Sequence, residues 1–182
     1  MREADFQQLV DRQYASLFRF ALSLSKSGAE AADLTQQTFF LWAAKGHQLR
    51  DRTKTKSWLF TTLYREFLSR RRHEVRFPHV ELDNANDDDI AVSPNVNALD
   101  STAVVEALRE LDEPFRAVVT LFYLEQFSYQ EIANMLDVPI GTVMSRLSRG
   151  KAQLRRRLLS KEETAARKIV SIAQEKGTGS HG

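Results

Sequence analysis

The chain contains no cysteine. A disulfide framework, a thiolate nucleophile and a cysteine-based metal site are therefore excluded, and the composition fits a reducing cytosol. Chain breakers are scarce too, with seven glycines and four prolines among 182 residues. Ala, Leu, Gln, Glu and Arg are common instead, which favours helices. No apolar run reaches the roughly 18 residues that a membrane-spanning helix needs, and the opening residues MREADFQQLV lack a signal-peptide pattern. His47, His73, His79 and His181 are not spaced as a ligand pair, so neither a metal nor a cofactor is expected. Strand-like alternation and internal repeats are absent.

What is present is a segregation of charge that the formal value of +2 conceals. Residues 50–76 hold Arg50, Arg52, Lys54, Lys56, Arg65, Arg70, Arg71, Arg72 and Arg76 against Asp51, Glu66 and Glu74. Residues 141–161 hold Arg146, Arg149, Lys151, Arg155, Arg156, Arg157 and Lys161 with no acid. Between them, residues 81–100 carry Glu81, Asp83, Asp87, Asp88, Asp89 and Asp100 with no base. Two basic islands around an acidic stretch suggest two polyanion-binding surfaces on a tether, with solvated helix faces as the plainer alternative.

Helical periodicity sets the organisation. Residues 5–25 repeat Phe6, Leu9, Val10, Leu17, Phe20, Ala21 and Leu24 at helical spacing. SGAE at 27–30 reads as a capping box, with Ser27 as N-cap and Glu30 three residues on. It opens a helix with Ala31, Leu34, Thr38, Leu41 and Trp42 on one face and Gly46 as its stop. A polar loop, 47–55, leads to a helix from about Ser57 to His73. Leu59, Leu63 and Phe67, with Phe60, Tyr64 and Leu68 beside them, cover so wide an arc that packing on more than one side is expected. Pro78 ends this unit. ELDNANDDDIAVSPNVNALD, residues 81–100, cannot bury enough apolar surface to offset chain entropy and reads as a flexible linker. Helices resume at Ser101, with Val104, Val105, Leu108 and Leu111 on one stripe. Asp112 is the expected cap of the next helix, which tolerates Pro114 in its first turn and carries Phe115, Val118, Val119, Phe122 and Tyr123.

The most informative stretch is SYQEIANMLDVPIGTVMSRLSRGKAQLRRRL, residues 128–158. SYQE is a second capping box, and Ile132, Ala133 and Leu136 give a short helix one apolar face. DVPIG breaks it: Pro139 discourages helix at Val138, and Gly141 permits close backbone approach. Val143, Leu147, Gly150, Leu154 and Leu158 then form one inward stripe. Thr142, Ser145, Arg146 and Arg149 fall on a different face. Two helices joined by a tight turn make a helix-turn-helix, whose second helix lies in the major groove. Thr142, Ser145 and Arg146 are placed to reach base edges, Arg being the side chain matched to guanine. Arg149, Lys151 and Arg155 are placed for phosphate, which fixes register without reading sequence. An amphipathic helix pair with a wet basic face is the alternative.

These residues resemble a known family. SYQEIANMLDVPIGTVMSRLSRGKAQLR, with LRELDEPFRAVVTLFYLEQFSYQEIA upstream, resembles region 4 of bacterial sigma factors of the extracytoplasmic function (ECF) group. AEAADLTQQTFFLWAA is similar to the region 2 helix that docks on core RNA polymerase, and KSWLFTTLYREFLSRRR to the helix that handles the downstream promoter element. The resemblance implies an all-α chain of two small helical domains. Residues 1–78 would be region 2, a bundle of three or four helices; 79–100 the flexible acidic linker; 101–160 region 4. Residues 161–182 lie outside it, an extension helical through about Gln174 and then frayed.

It further implies a non-enzymatic, cytoplasmic protein without cofactor or membrane insertion. Its partners would be core RNA polymerase, promoter DNA as duplex and melted single strand, and an anti-sigma factor or other regulator. Asp33, Gln36, Gln37 and Phe40 would meet the polymerase. Gln48, Arg50, Arg52 and Lys54 in the 47–56 loop, with Arg65, Arg70, Arg71 and Arg72 on the helix after it, would handle the melted downstream element, which needs a positive groove and a pocket for an unstacked base. Thr142, Ser145, Arg146, Arg149, Lys151 and Arg155 would serve the upstream element. Trp58 and Phe60 lie in an apolar stripe, where core packing competes with a base-stacking role. The acidic linker would thread toward the polymerase active-site channel, or serve only as a spacer.

The chain departs from the family pattern at Gln37, where an acid is common, and at Leu63, Tyr64, Arg65 and Ser69, so a downstream preference different from the family's common one is expected. Asp137 stands where the turn often has glycine; Asp tolerates the left-handed conformation at modest cost. A dimeric helix-turn-helix regulator would explain residues 128–158 alone, leaving the docking-like helix and the first basic island without a role. A small metal-dependent nuclease would need Asp87–Asp89 on a scaffold that this coil-like stretch does not offer.

Overall fold

The computed structural model describes residues 3–25, 27–76 and 107–177, with side chains described at 4–25, 27–76 and 107–159. The expected linker, Val104, Val105 and the last five residues fall outside them. Every regular element among the described residues is helical. Helices α1 (Glu3–Ser25), α2 (Gly28–Lys45) and α3 (Thr55–Arg76) pack on one another around Leu17, Phe20, Ala31, Leu34, Leu59 and Leu63, all fully buried. A helical turn at 107–109 precedes α4 (Glu113–Val119), which continues as a π-helical turn, Thr120–Leu124. Helices α5 (Tyr129–Leu136) and α6 (Ile140–Gly177) complete the chain.

The capping signals hold unevenly. Ser27 accepts from the Glu30 amide at 3.3 Å, as expected. The reciprocal bond is missing: the Ser27 amide turns to Ser25 Oγ at 3.4 Å, and Glu30 Oε1 is buried without a hydrogen-bond partner. Burial, with Glu74 second, pushes the Glu30 carboxyl above its ordinary value. Asp112 occupies the N-cap position of α4, yet its side chain makes no cap bond; its carbonyl accepts from the Phe115 and Arg116 amides at 3.0 and 2.9 Å instead. Helix α3 begins at Thr55 and ends at Arg76, longer than the expected 57–73. The helix expected from 161 to about Gln174 is present as the continuation of α6. α6 runs on as one helix to Gly177, because no proline interrupts 140–177.

Glycine roles are set by what lies opposite. Gly46 ends α2 in ordinary helical geometry, and a Cβ there would lie 2.6 Å from Cδ2 of Trp42. Gly141, expected at a close backbone approach, faces open space, with nothing within 4 Å of a Cβ. The close approach occurs at Gly150, where a Cβ would meet Val119 Cγ2 at 2.7 Å and Phe115 Cβ at 3.3 Å as α6 crosses α4.

The two halves touch. α4 packs on α1 and α5 on α3, so the wide apolar arc of α3 is covered from both sides. Phe60 sits 5.4 Å from the ring of Phe20 and 5.0 Å from that of Phe127. Arg116, 2% exposed, donates Nη1 to the carbonyls of Arg109 (3.1 Å) and Leu111 (3.0 Å) and Nη2 to that of Leu24 (3.0 Å), at the end of α1. Burial lowers its pKa from the usual arginine value.

Substituting Gly150→Val is expected to overpack this crossing and cost about 1–3 kcal/mol. Thermal unfolding followed by circular dichroism should show a drop of about 2–4 °C per kcal/mol for a chain of this size. Gly141→Ala, with open space around it, should leave the melting temperature unchanged or raise it.

Candidate nucleic-acid interface

The helix-turn-helix is built by local chemistry. The Ser128 hydroxyl accepts from the Glu131 amide at 3.3 Å, while Glu131 Oε2 accepts from the Ser128 amide at 2.8 Å and the Ser128 hydroxyl at 2.7 Å. This completed capping box fixes the start of α5 and, through the Ser128 hydrogen bonds, holds the Glu131 carboxyl below its ordinary value. Ile132, Ala133, Met135 and Leu136 are buried beneath it. Asp137 ends α5 in the left-handed conformation, φ 54° and ψ 51°, and the Val138 amide returns to the Ala133 carbonyl at 3.1 Å. The Pro139 carbonyl then accepts from the Thr142 and Val143 amides at 2.9 and 3.2 Å and starts α6.

This turn buries Val143, Leu147 and Gly150 of the expected stripe and half-buries Leu154 and Leu158. On the other faces Ser145, Arg149, Lys151 and Arg155 are exposed, and Thr142 and Arg146 are half-buried. Ser145 Oγ donates to the Thr142 carbonyl at 3.0 Å. Met144, 53% exposed, and Ile140, 44% exposed, flank these residues. Neither stands out in the sequence. The signal was an apolar residue off the inward stripe, and such groups suit a thymine methyl.

The residues expected at the downstream element lie in the loop after α2 and along α3. Two short 3₁₀ turns, Gly46–Gln48 and Arg52–Lys54, shape the loop, and Asp51 caps the second by accepting from the Thr53 amide at 3.0 Å. The Thr53 hydroxyl and amide hold the Asp51 carboxyl below its ordinary range. Gln48, Arg50 and Lys54 are exposed. Arg52 is tied down, donating to the Gly46 carbonyl at 3.3 Å with its guanidinium 5.8 Å from the Trp42 ring. Arg65 and Arg72 are exposed and Arg70 half-buried; Arg71 lies 3.9 Å from Glu74. Phe60 is fully buried, which leaves it no face for a base, and Trp58 stands edge-on to Trp42 with centroids 5.1 Å apart.

The candidate docking residues share the outer edge of α2. Asp33 and Gln36 are exposed, Phe40 is 67% exposed and Gln37 half-buried, while Ala31, Leu34, Thr35, Thr38 and Trp42 face the core. Among the described residues no three groups are placed to hold a metal ion, and no helix is long and apolar enough to cross a membrane.

A basic helix-turn-helix set on a helical unit with its own basic edge defines a DNA-binding architecture. Comparison with known proteins agrees. Residues 9–77 match sigma-70 region 2, and residues 101–154 match sigma-70 region 4. The chain is 32% identical over 143 residues to the ECF RNA polymerase sigma factor SigL of Mycobacterium tuberculosis, covering 76% of this chain and 80% of SigL. It is 29% identical over 147 residues to the ECF sigma factor SigM of Bacillus subtilis, covering 76% and 86%. The sigma factor RpoE of Bartonella quintana, co-crystallised with the anti-sigma factor NepR, superposes with a TM-score of 0.71 at 31% identity over 85% of this chain and 96% of RpoE. CnrH, solved with the cytosolic domain of CnrY, shares the fold at a TM-score of 0.62 and 23% identity. The chain belongs to the ECF RNA polymerase sigma factors of the sigma-70 family, which direct promoter-specific transcription initiation.

The Ser128 cap offers a direct test. Because the Glu131 pKa is depressed on folding, the stability it contributes is present above the ordinary value of 4.5 and is lost as pH falls through the lower folded value. Ser128→Ala should cost about 1 kcal/mol near neutral pH, and less in acid, once Glu131 is protonated. Denaturant unfolding of both chains at neutral and acidic pH measures this.

Proposed function

We propose that residues 1–78 act as the unit that docks on core polymerase and holds the melted downstream element, that 101–160 reads the upstream element as duplex, and that 79–100 tethers them. The reading is supported above all by three residue sets, each mostly exposed, on separate elements of one chain. Asp33, Gln36, Gln37 and Phe40 on α2 meet the polymerase, Phe40 supplying an apolar anchor that a polar edge otherwise lacks. Gln48, Arg50 and Lys54 face the melted strand from the loop. Arg65, Arg70, Arg71 and Arg72 contact its backbone, and Arg52 props the loop against Trp42 as well as adding charge. Thr142, Ser145 and Arg146 reach base edges, joined by Met144. Arg149, Lys151 and Arg155 grip phosphate.

The protein works in the cytoplasm without catalysis of its own, and a regulator of the anti-sigma class holds it inactive, as the NepR complex of RpoE suggests. The test is binding of the purified chain to core polymerase stripped of sigma factor, then run-off transcription from a genomic fragment library. Tight binding with new start sites is the expected result. Duplex binding by the chain alone, with no affinity for core, would replace the reading with a stand-alone regulator.

On a promoter found this way, Arg146→Ala should cost about 1–3 kcal/mol and relax specificity at one upstream position. Arg149→Ala should weaken all sequences alike and reduce the salt slope by about 1. Quantitative footprinting across a salt series separates the two outcomes.

A further inference from the structure

The first two turns of α6 carry an apolar line that readout by hydrogen bonds does not use. Ile140 and Met144 are 44% and 53% exposed and stand one helical turn apart, so they lie on the same side of the helix. A single exposed apolar side chain is ordinary. A pair on successive turns, at the end of the helix that enters the groove, calls for a partner. The line continues to Lys151 and Arg155, both exposed and both assigned to phosphate. The apolar pair therefore shares its side of α6 with the backbone grip and sits nearer the N-terminus, where a recognition helix meets base edges.

The polar neighbours leave this side to apolar contact. Thr142, Arg146 and Arg149 follow a different line of α6, and Thr142 and Arg146 are half-buried there. The Ser145 hydroxyl spends its proton on the Thr142 carbonyl at 3.0 Å, which leaves its oxygen as an acceptor only. Gly141 has nothing within 4 Å of where a Cβ would stand, so the face beside Ile140 and Met144 is open to close approach by a base pair. Ile offers no hydrogen-bonding group, and the Met thioether is a weak acceptor. In the major groove the base-edge group that such side chains select is the thymine methyl. The unbranched Met side chain, with three rotatable bonds, can close around it.

We propose that Ile140 and Met144 are specificity-determining residues that read thymine by its 5-methyl group, on the side of α6 away from the Arg146 line. This rests on the proposed reading of the upstream element as duplex by α6, and it deepens that reading by naming the chemical group recognised. Moving one methyl group from water into apolar contact favours binding about fourfold. Each thymine read in this way contributes about that factor to the choice of promoter.

The test uses holoenzyme assembled from the full chain and core polymerase, on a promoter supplied by the run-off screen. Each thymine of the upstream element is replaced in turn by uracil, which removes the methyl and keeps every hydrogen-bonding group. Affinity should fall about fourfold at one or two positions, and 5-bromouracil, whose bromine fills the place of the methyl, should restore it. Holoenzyme carrying Met144→Ala or Ile140→Ala should no longer distinguish thymine from uracil at one of these positions, while Met144→Leu should still do so. Both side chains are about half exposed, so these chains should keep their helical circular dichroism. An element in which no thymine responds to uracil overturns the inference, as does a response that survives both alanine substitutions unchanged. Arg146→Ala separates the two levels. If it relaxes upstream specificity while uracil has no effect, the reading of the upstream element stands and the methyl contact alone falls. If neither change matters, both fall.

Discussion

Helix α3 has more apolar surface than its own three-helix unit covers, and the arrangement of the molecule follows from that. Leu59, Phe60, Leu63 and Phe67 are buried, and Trp58, Tyr64 and Leu68 are partly so, around a wide arc of one helix. Burying a phenylalanine contributes about 1.5–3 kcal/mol relative to leaving it in water. α1 and α2 take one side of the arc, through Phe20 against Phe60. Phe127 and α5 take another. What remains for solvent is a strip on which Arg65, Arg71 and Arg72 stand exposed, so the packing also decides where the positive charge is displayed.

Apolar contact is non-directional and would allow the halves to slide. Two charged residues remove that freedom. Arg116 donates its two terminal nitrogens to backbone carbonyls of both halves, including that of Leu24 at the end of α1, where the helix dipole favours a cation. Glu125 does the converse, carried from the π-helical turn into a site made by side chains of α1 and α3. Each would be costly to bury in any other register, which is how a polar group adds specificity to an apolar interface.

Local features were legible in the sequence, and long-range ones were not. Periodicity located α1, α2, α3 and α5, and the wide arc of α3 already implied packing on two sides. The Ser128 box and the left-handed Asp137 followed from residue type at a turn. The Ser27 box failed in its second half, because Glu30 is drawn toward the end of α3 where Glu74, Arg70 and Arg71 act on it. Nothing in FYLEQF announces that Glu125 is buried, since its partners lie 106 and 69 residues away along the chain. Gly141 and Gly150 look alike in sequence and differ only in what faces them. At the candidate interface the residue types were legible, but not that Arg52 is held by the Gly46 carbonyl and Trp42 while its neighbours Arg50 and Lys54 are free of that constraint.

The electrostatics link packing to recognition. The chain has two basic surfaces, and like-charged surfaces repel when brought together. The packing of the two halves places an acid, Glu125, between Arg19 and Lys56, so the carboxylate offsets locally a repulsion that the basic islands create.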